Sequence, residues 1–254
     1  MYASLTVVTH PALRAVRAMR TARRCADAAL RHPELAFARA LQTATFRADT
    51  RLPHVPGRVA VMLWAASERA LDDAGGALLA PLEDGARERW RVVLRPATIH
   101  GDWAGFAPRP AVGEPALLAD EPVAVMIHGL VKPRHLVRFV RENAHVGVQL
   151  AQAAGYLGGV GLAHSFFDTT SFSCWRSAGD SRRFAFAAGS HRDAYKAGKA
   201  AQWHSTEFWV RFRPLRSEGT FEGRDPFAGV LRAPSVPAAA AVLPATPSSP
   251  SVPA

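Results

Sequence analysis

The residue in this chain best placed to do chemistry is His191. Phe184, Ala187 or Ala188, His191 and Tyr195 recur at helical spacing, and that stripe is small and apolar apart from the histidine. Gly189-Ser190 interrupts the run, and Ser190 with Asp193 three residues on has the outline of a weak capping box. His191 then opens a short second helix, whose positive end favours the neutral imidazole that binds metals. The plainer reading is a core or rim histidine bonded to a backbone carbonyl. Mid-strand in apolar text, Cys174 reads first as a small buried hydrophobe. Arg211 and Arg213 alternate with Phe212, so the two guanidiniums face one side of a strand.

Other chemistries leave little trace. Neither Cys25 nor Cys174 lies in a Cys-x-x-Cys pair, which argues against zinc, and two cysteines make no disulfide scaffold. The serines lack a Gly-x-Ser-x-Gly elbow. Gly158-Gly-Val-Gly161 is a weak echo of a dinucleotide loop, with no helix start behind it. No His-Glu-x-x-His run occurs.

Elements that could position these groups are spaced in two similar series. The first reads as a strand over 2–8, a helix over 11–30, strands over 34–44 and 58–65, a helix over 68–79 capped by Ser67, and a strand over 90–94. In the first helix Leu13, Val16 and Met19 or Ala22 are expected inward. The second series reads as a strand over 122–128, a helix over 132–154, strands over 156–164 and 169–176, a helix capped by Asp180, and a strand over 207–213. Each is a β-α-β-β-α-β order, the ferredoxin-like arrangement. The expected fold is therefore α+β, with tandem ferredoxin-like repeats: a first unit over 1–106, a Pro/Gly-rich linker over 107–120, and a second unit with the active site over 121–232. A disordered Ala/Pro/Ser tail over 233–254 follows. Two such sheets packed face to face make a closed, barrel-like body. The repeat is also textual. Val61-Met-Leu-Trp-Ala-Ala-Ser67 answers Phe172-Ser-Cys-Trp-Arg-Ser177, and Arg95-Pro96 with Gly101-Asp-Trp103 answers Arg213-Pro214 with Gly219-Thr-Phe221. His191 has no counterpart in the first copy, which places a single active site in the second unit.

The formal net charge is +10, and nearly all of the base is arginine. That bias, with abundant Ala and Pro, looks like a compositional habit, and no aromatic-plus-basic RNA-recognition motif accompanies it, so nucleic acid is not the expected partner. Arg14, Arg17, Arg20, Arg23 and Arg24 form a belt on the first helix, read either as a solvated face or as a peripheral contact with anionic lipid. The N-terminus lacks a secretory pattern, and the expected location is the cytoplasm.

Phe172-Ser-Cys-Trp175, Phe184-Ala-Phe-Ala187, Ser190-His191-Arg-Asp-Ala194 and Glu207-Phe-Trp-Val-Arg-Phe212 with Gly219-Thr220 resemble the spheroidene monooxygenase family. Phe37-Ala-Arg-Ala40, Trp64, Leu94-Arg-Pro96 and Gly101-Asp-Trp-Ala-Gly105 extend the resemblance into the first half. It implies a haem-dependent oxygenase of carotenoids that draws electrons from a ferredoxin-like donor, and a dimeric α+β-barrel type fold. On that resemblance His191 is the haem ligand, with Cys174 as rival. Arg211 is read either as the partner of a haem propionate or as an edge-strand charge paired with Glu207 or solvent. Phe172, Trp175, Phe184 and Trp209 shape the apolar substrate pocket. A single proximal histidine leaves one axial position for oxygen. Oligomeric state is left open by the internal repeat. The same resemblance leaves room for a cofactor-free monooxygenase, or for a haem carrier or interaction protein without turnover.

Overall fold

Among the described residues, short alternating runs separated by turns fold into eight strands accompanied by four continuous helices, and the alternation decides what each strand sends inward. The computed structural model describes residues 1–45, 54–186, 192, 196, 198 and 200–231. The first half comprises β1 (Tyr2–Thr9), a 3-10 turn, α1 (Ala15–Leu30), β2 (Leu35–Ala44), β3 (His54–Ala65), α2 (Glu68–Glu83) and β4 (Glu88–Gly101). The second comprises β5 (Val123–Val131), a 3-10 turn, α3 (Leu136–Gln152), β6 (Tyr156–Ala163), β7 (Asp168–Trp175), α4 (Ala178–Phe186) and β8 (His204–Gly219). His191 and the tail over 233–254 lie outside the described residues.

All eight strands close into one antiparallel barrel in the order β1-β3-β2-β6-β7-β5-β8-β4. A barrel closed within one chain leaves no sheet edge unpaired. The halves meet along β2–β6 and β4–β8. Across β4–β8 the register is symmetric about Arg95 and Arg213: Trp90 opposes Gly219, and Phe208 opposes Gly101. Both glycines sit at φ +79, and a Cβ would come within 2.0 Å of the Glu207 carbonyl oxygen at Gly101 and 2.1 Å of that of Arg89 at Gly219. Only glycine fits these positions, which is why Gly-x-aromatic recurs in the text. β4 and β8 run well beyond the expected 90–94 and 207–213, because Pro96 and Pro214 sit at register shifts where a missing N–H is tolerated.

The barrel interior is filled, as expected for eight strands. Trp64, Trp90, Phe172, Phe208 and Phe212 are fully buried there beside Leu5, Met62 and Met126. Outside the first half, α1 and α2 cover the sheet closely. α1 buries Ala18, Ala22, Cys25, Ala26 and Ala29. Leu13 and Val16, expected inward, are exposed instead at 101% and 65%. An alanine stripe lets the helix axis approach the sheet, and that close packing takes precedence over the larger apolar residues.

Two further expectations are corrected. The cap of α4 is Ser177, whose hydroxyl accepts from the Asp180 backbone N–H at 3.0 Å, while Asp180 lies in the first turn. That matches Ser67, which accepts from the Ala70 N–H at 3.1 Å. Trp64 answers Cys174 rather than Trp175, since Ala3 pairs with Trp64 and Leu94 as Ala124 pairs with Cys174 and Phe212. A slip of one residue in a strand exchanges the two faces. Trp64 and Cys174 point into the barrel, whereas Trp175 packs under α4.

Candidate active site on the outer face of the second half

The register that equates Ala3 with Ala124 also equates Ser4, Thr6 and Val8 with Val125, Ile127 and Gly129, all on the outward face. In the first half these positions are fully buried beneath the helices. In the second, Val125 is half-buried and Ile127 is 47% exposed. α3 buries only Gly147 and Leu150, and leaves Val137, Val140 and Val148 exposed. Gly129 is buried, and Val123, Leu150, Trp175 and Ala178 form a small buried cluster, so among the described residues the first half carries a packed outer core and the second a smaller one beside a partly exposed apolar face. From β6 to β8 this face spans about 14 Å, three strand spacings.

Its floor is small. Gly159 and Gly161 of β6 and Ser171 and Ser173 of β7 occupy positions where the first half has Ala38, Ala40, Val61 and Leu63. A Cβ at Gly159 would lie 2.5 Å from the Phe172 carbonyl oxygen and 2.9 Å from the Tyr156 hydroxyl. Tyr156 helps line a cleft of about 440 Å³ between the end of α3, β6 and the loop after β8, with Leu157, Phe221 and Arg224. That volume lies in the range of small-molecule sites. Burial, with smaller contributions from Cys174 and Glu222, pushes the Tyr156 phenol well above its usual range, so it stays a neutral donor.

Aromatic side chains frame the face. Trp175 meets Tyr156 at 5.5 Å and Phe184 at 5.3 Å between ring centroids, and its indole N–H donates to the Ser173 hydroxyl. Trp209, toward the other side, stacks on His100 at 5.6 Å. Arg211 lies beside Trp209, its guanidinium 5.5 Å from that ring. It is half-buried and has no acidic partner among the described residues. Burial, and then the charge of Arg182, lowers its pKa. Two neighbouring cations without a carboxylate between them suit an anionic group on a ligand.

The structure therefore brings Trp175, Phe184, Trp209 and Arg211 to the outer side of the second half. Phe172, expected in the substrate pocket, and Cys174 lie on the other face of β7 from Ser171 and Ser173 and point into the barrel, both fully buried. Burial first, and Asp225 second, raises the Cys174 thiol far above its usual pKa. A thiol so placed stays protonated and is a poor ligand. Among the described residues no group of three His, Cys, Asp or Glu could hold a metal ion.

One polar cluster was not anticipated. His128 of β5 lies inside the barrel end with Nδ1 3.0 Å from the Thr170 hydroxyl and 3.4 Å from an Asp168 carboxylate oxygen. Its ring tilts against Trp103 at 5.0 Å, and the Arg39 guanidinium lies 5.9 Å from the same indole. Burial lowers the imidazole pKa, partly offset by Asp168. The signal was available, because Ala124, Met126 and His128 share one strand face.

No family model matches the chain. It is similar to spheroidene monooxygenase of Rubrivivax gelatinosus, 34% identical over 140 residues, which cover 55% of this chain and 52% of that protein. It is also 31% identical to spheroidene monooxygenase of Cereibacter sphaeroides over 170 residues, 63% of this chain and 51% of that protein. The chain spans about half the length of these curated relatives. Among solved structures, an aldoxime dehydratase (OxdRE) in complex with butyraldoxime shares the fold at a TM-score of 0.57 and 10% identity, covering 90% of this chain and 84% of that one.

Proposed function

We propose that the chain is a haem-dependent monooxygenase acting on an apolar, carotenoid-like substrate, with its site on the outer face of the second half. The observation that carries this reading is the contrast between the halves: Ser4 and Thr6 are fully buried beneath helices in the first, while the equivalent Val125 and Ile127 are half-buried and exposed in the second. The similarity to proteins named spheroidene monooxygenase supports the reaction class. We read the two halves as tandem ferredoxin-like copies of one unit, of which the first keeps the scaffold and the second keeps the site.

The residues present fit the cofactor. A flat apolar group needs a broad floor without bulky side chains, and Gly159, Gly161, Ser171 and Ser173 provide one beside Val125 and Ile127. A propionate-bearing group needs an unpaired cation at the rim, and Arg211 with Arg182 nearby provides that. His191 is the proposed ligand. Bound haem would supply oxygen activation. Trp175, Phe184 and Tyr156 wall one side of the face and exclude water. The neutral Tyr156 phenol can donate a hydrogen bond to a polar group of the substrate within the cleft. In the overall reaction one atom of dioxygen enters a C–H bond of the substrate and the other leaves as water. The two electrons required come from an external donor such as a ferredoxin, because no flavin or nicotinamide motif is visible.

Turnover of a carotenoid with reduced ferredoxin under isotopically labelled dioxygen tests the proposal. One labelled oxygen atom per product is expected, with rates falling at least about tenfold in Arg211→Ala if the arginine anchors the cofactor. Label arriving from water instead of dioxygen, or product formed without haem, overturns it. The second outcome leaves a cofactor-free oxygenase.

A further inference from the structure

α1 presents a surface that neither the fold nor the proposed reaction uses. Arg17, Arg20, Arg23, Arg24 and Arg31 are exposed along its outer side, and none has an acidic partner among the described residues. Several arginines elsewhere are paired: Arg58 with Glu222, Arg69 with Asp73, Arg89 with Glu83, Arg91 with Asp72, and Arg213 with Glu114. A general arginine bias explains the number of arginines, but on α1 five exposed ones fall on one side of a single helix. Asp27 is the single acid on that side. The neighbouring acids of α2 are engaged, Glu68 and Asp72 by Arg216 and Glu83 by Arg89.

Apolar side chains accompany the charge. Leu13 at the entry to α1 is 101% exposed, Val16 is 65% exposed and Leu30 is 54% exposed. Leu13 and Val16 flank Arg14 and Arg17, so the tip of the helix offers apolar groups inside a basic ring. Bilayer surfaces with anionic headgroups are recognised by that combination, the arginines at the phosphates and short apolar side chains at the acyl boundary. No helix among the described residues is long and apolar enough to cross a membrane.

We propose that α1 and the turn before it dock the protein on an anionic lipid bilayer. The inference does not depend on haem or on the reaction. Near such a surface each arginine contributes roughly fivefold to partitioning, and five of them outweigh Asp27.

Co-sedimentation of the full chain with vesicles tests this, using phosphatidylcholine alone and phosphatidylcholine with roughly a third phosphatidylserine. Binding is expected only to the anionic vesicles, weakening steeply with salt. The variant Arg17→Glu/Arg20→Glu/Arg24→Glu, altered only at exposed positions, should bind at least about a hundredfold more weakly. Leu13→Asp/Val16→Asp should also reduce binding. The control Arg109→Glu/Arg134→Glu/Arg141→Glu makes the same change in net charge elsewhere and should stay within about threefold of the parent. Circular dichroism confirms that each variant is folded. Equal losses in the two triple variants would reduce the effect to net charge and overturn the proposal. So would absence of binding to anionic vesicles, or loss of that binding by competition from duplex DNA in the parent protein alone.

Discussion

Phe172→Ala is expected to destabilise the protein by about 3–5 kcal/mol, the cost of emptying a large aromatic site in a closed core. Phe172 is fully buried at the middle of β7, with its ring 6.2 Å from that of Trp90 inside the barrel. Its register neighbours Met126 and Val160 face the same interior. Strands fixed on both sides cannot collapse into the space left by the ring, so relaxation recovers little. The same geometry predicts what does not change. The ring lies on the opposite side of β7 from the Ser171 and Ser173 floor, so activity per folded molecule should stay within about threefold. Urea unfolding gives the stability, and initial rates normalised to folded protein give the second quantity. Parental stability combined with lost substrate binding would place Phe172 in a substrate pocket and contradict this account.

Glu114→Ala comes second, with an expected loss of about 2–3 kcal/mol, below the full cost of breaking a buried pair because its partners are partly solvated. Arg95 and Arg213 oppose each other across β4–β8, at the centre of symmetry between the halves. Two guanidiniums there repel unless something neutralises them. Glu114, its side chain only 2% exposed, reaches in from the connecting segment to contact Arg95 at 2.6 Å and Arg213 at 2.5 Å. Glu121 adds a contact with Arg213 at 3.1 Å. Removing the carboxylate leaves two like charges in register and frees the connection between the halves. Glu114→Gln should recover little, since the charge is what is needed, and added salt should narrow the gap to the parent. A loss under about 0.5 kcal/mol in urea would show that the arginines reach solvent independently of it.

That glutamate illustrates what the sequence hides. The segment over 107–120 reads as a linker because it is rich in Pro and Gly, and it contains no helix or strand. The role of Glu114 depends on a distant pair of arginines, which local text cannot reveal. The order of strands and helices was legible because alternation and helical spacing are local. The Arg-Pro and Gly-x-aromatic endings were legible for a stronger reason: Gly101 and Gly219 meet the same steric requirement in both halves. Errors came where type outweighed geometry. Leu13 and Val16 look like core residues until the alanine stripe beside them takes the sheet. Trp64 and Trp175 match as letters but face opposite ways, because the cap serines set the frame. Phe172 and Trp175 stand three apart in a strand, an odd spacing that puts them on opposite faces. The exposure of Ile127 on the outer face of the second half was not legible, because it depends on how elements pack rather than on any one of them.

The site account stands or falls on whether this chain holds haem through His191. The direct measurement is the absorption spectrum of the full chain expressed with haem supply, beside His191→Ala and Cys174→Ala, each folded by circular dichroism. A Soret band present in the parent and in Cys174→Ala but lost in His191→Ala is the predicted result. No band in the parent, or a band that survives in His191→Ala, would contradict it.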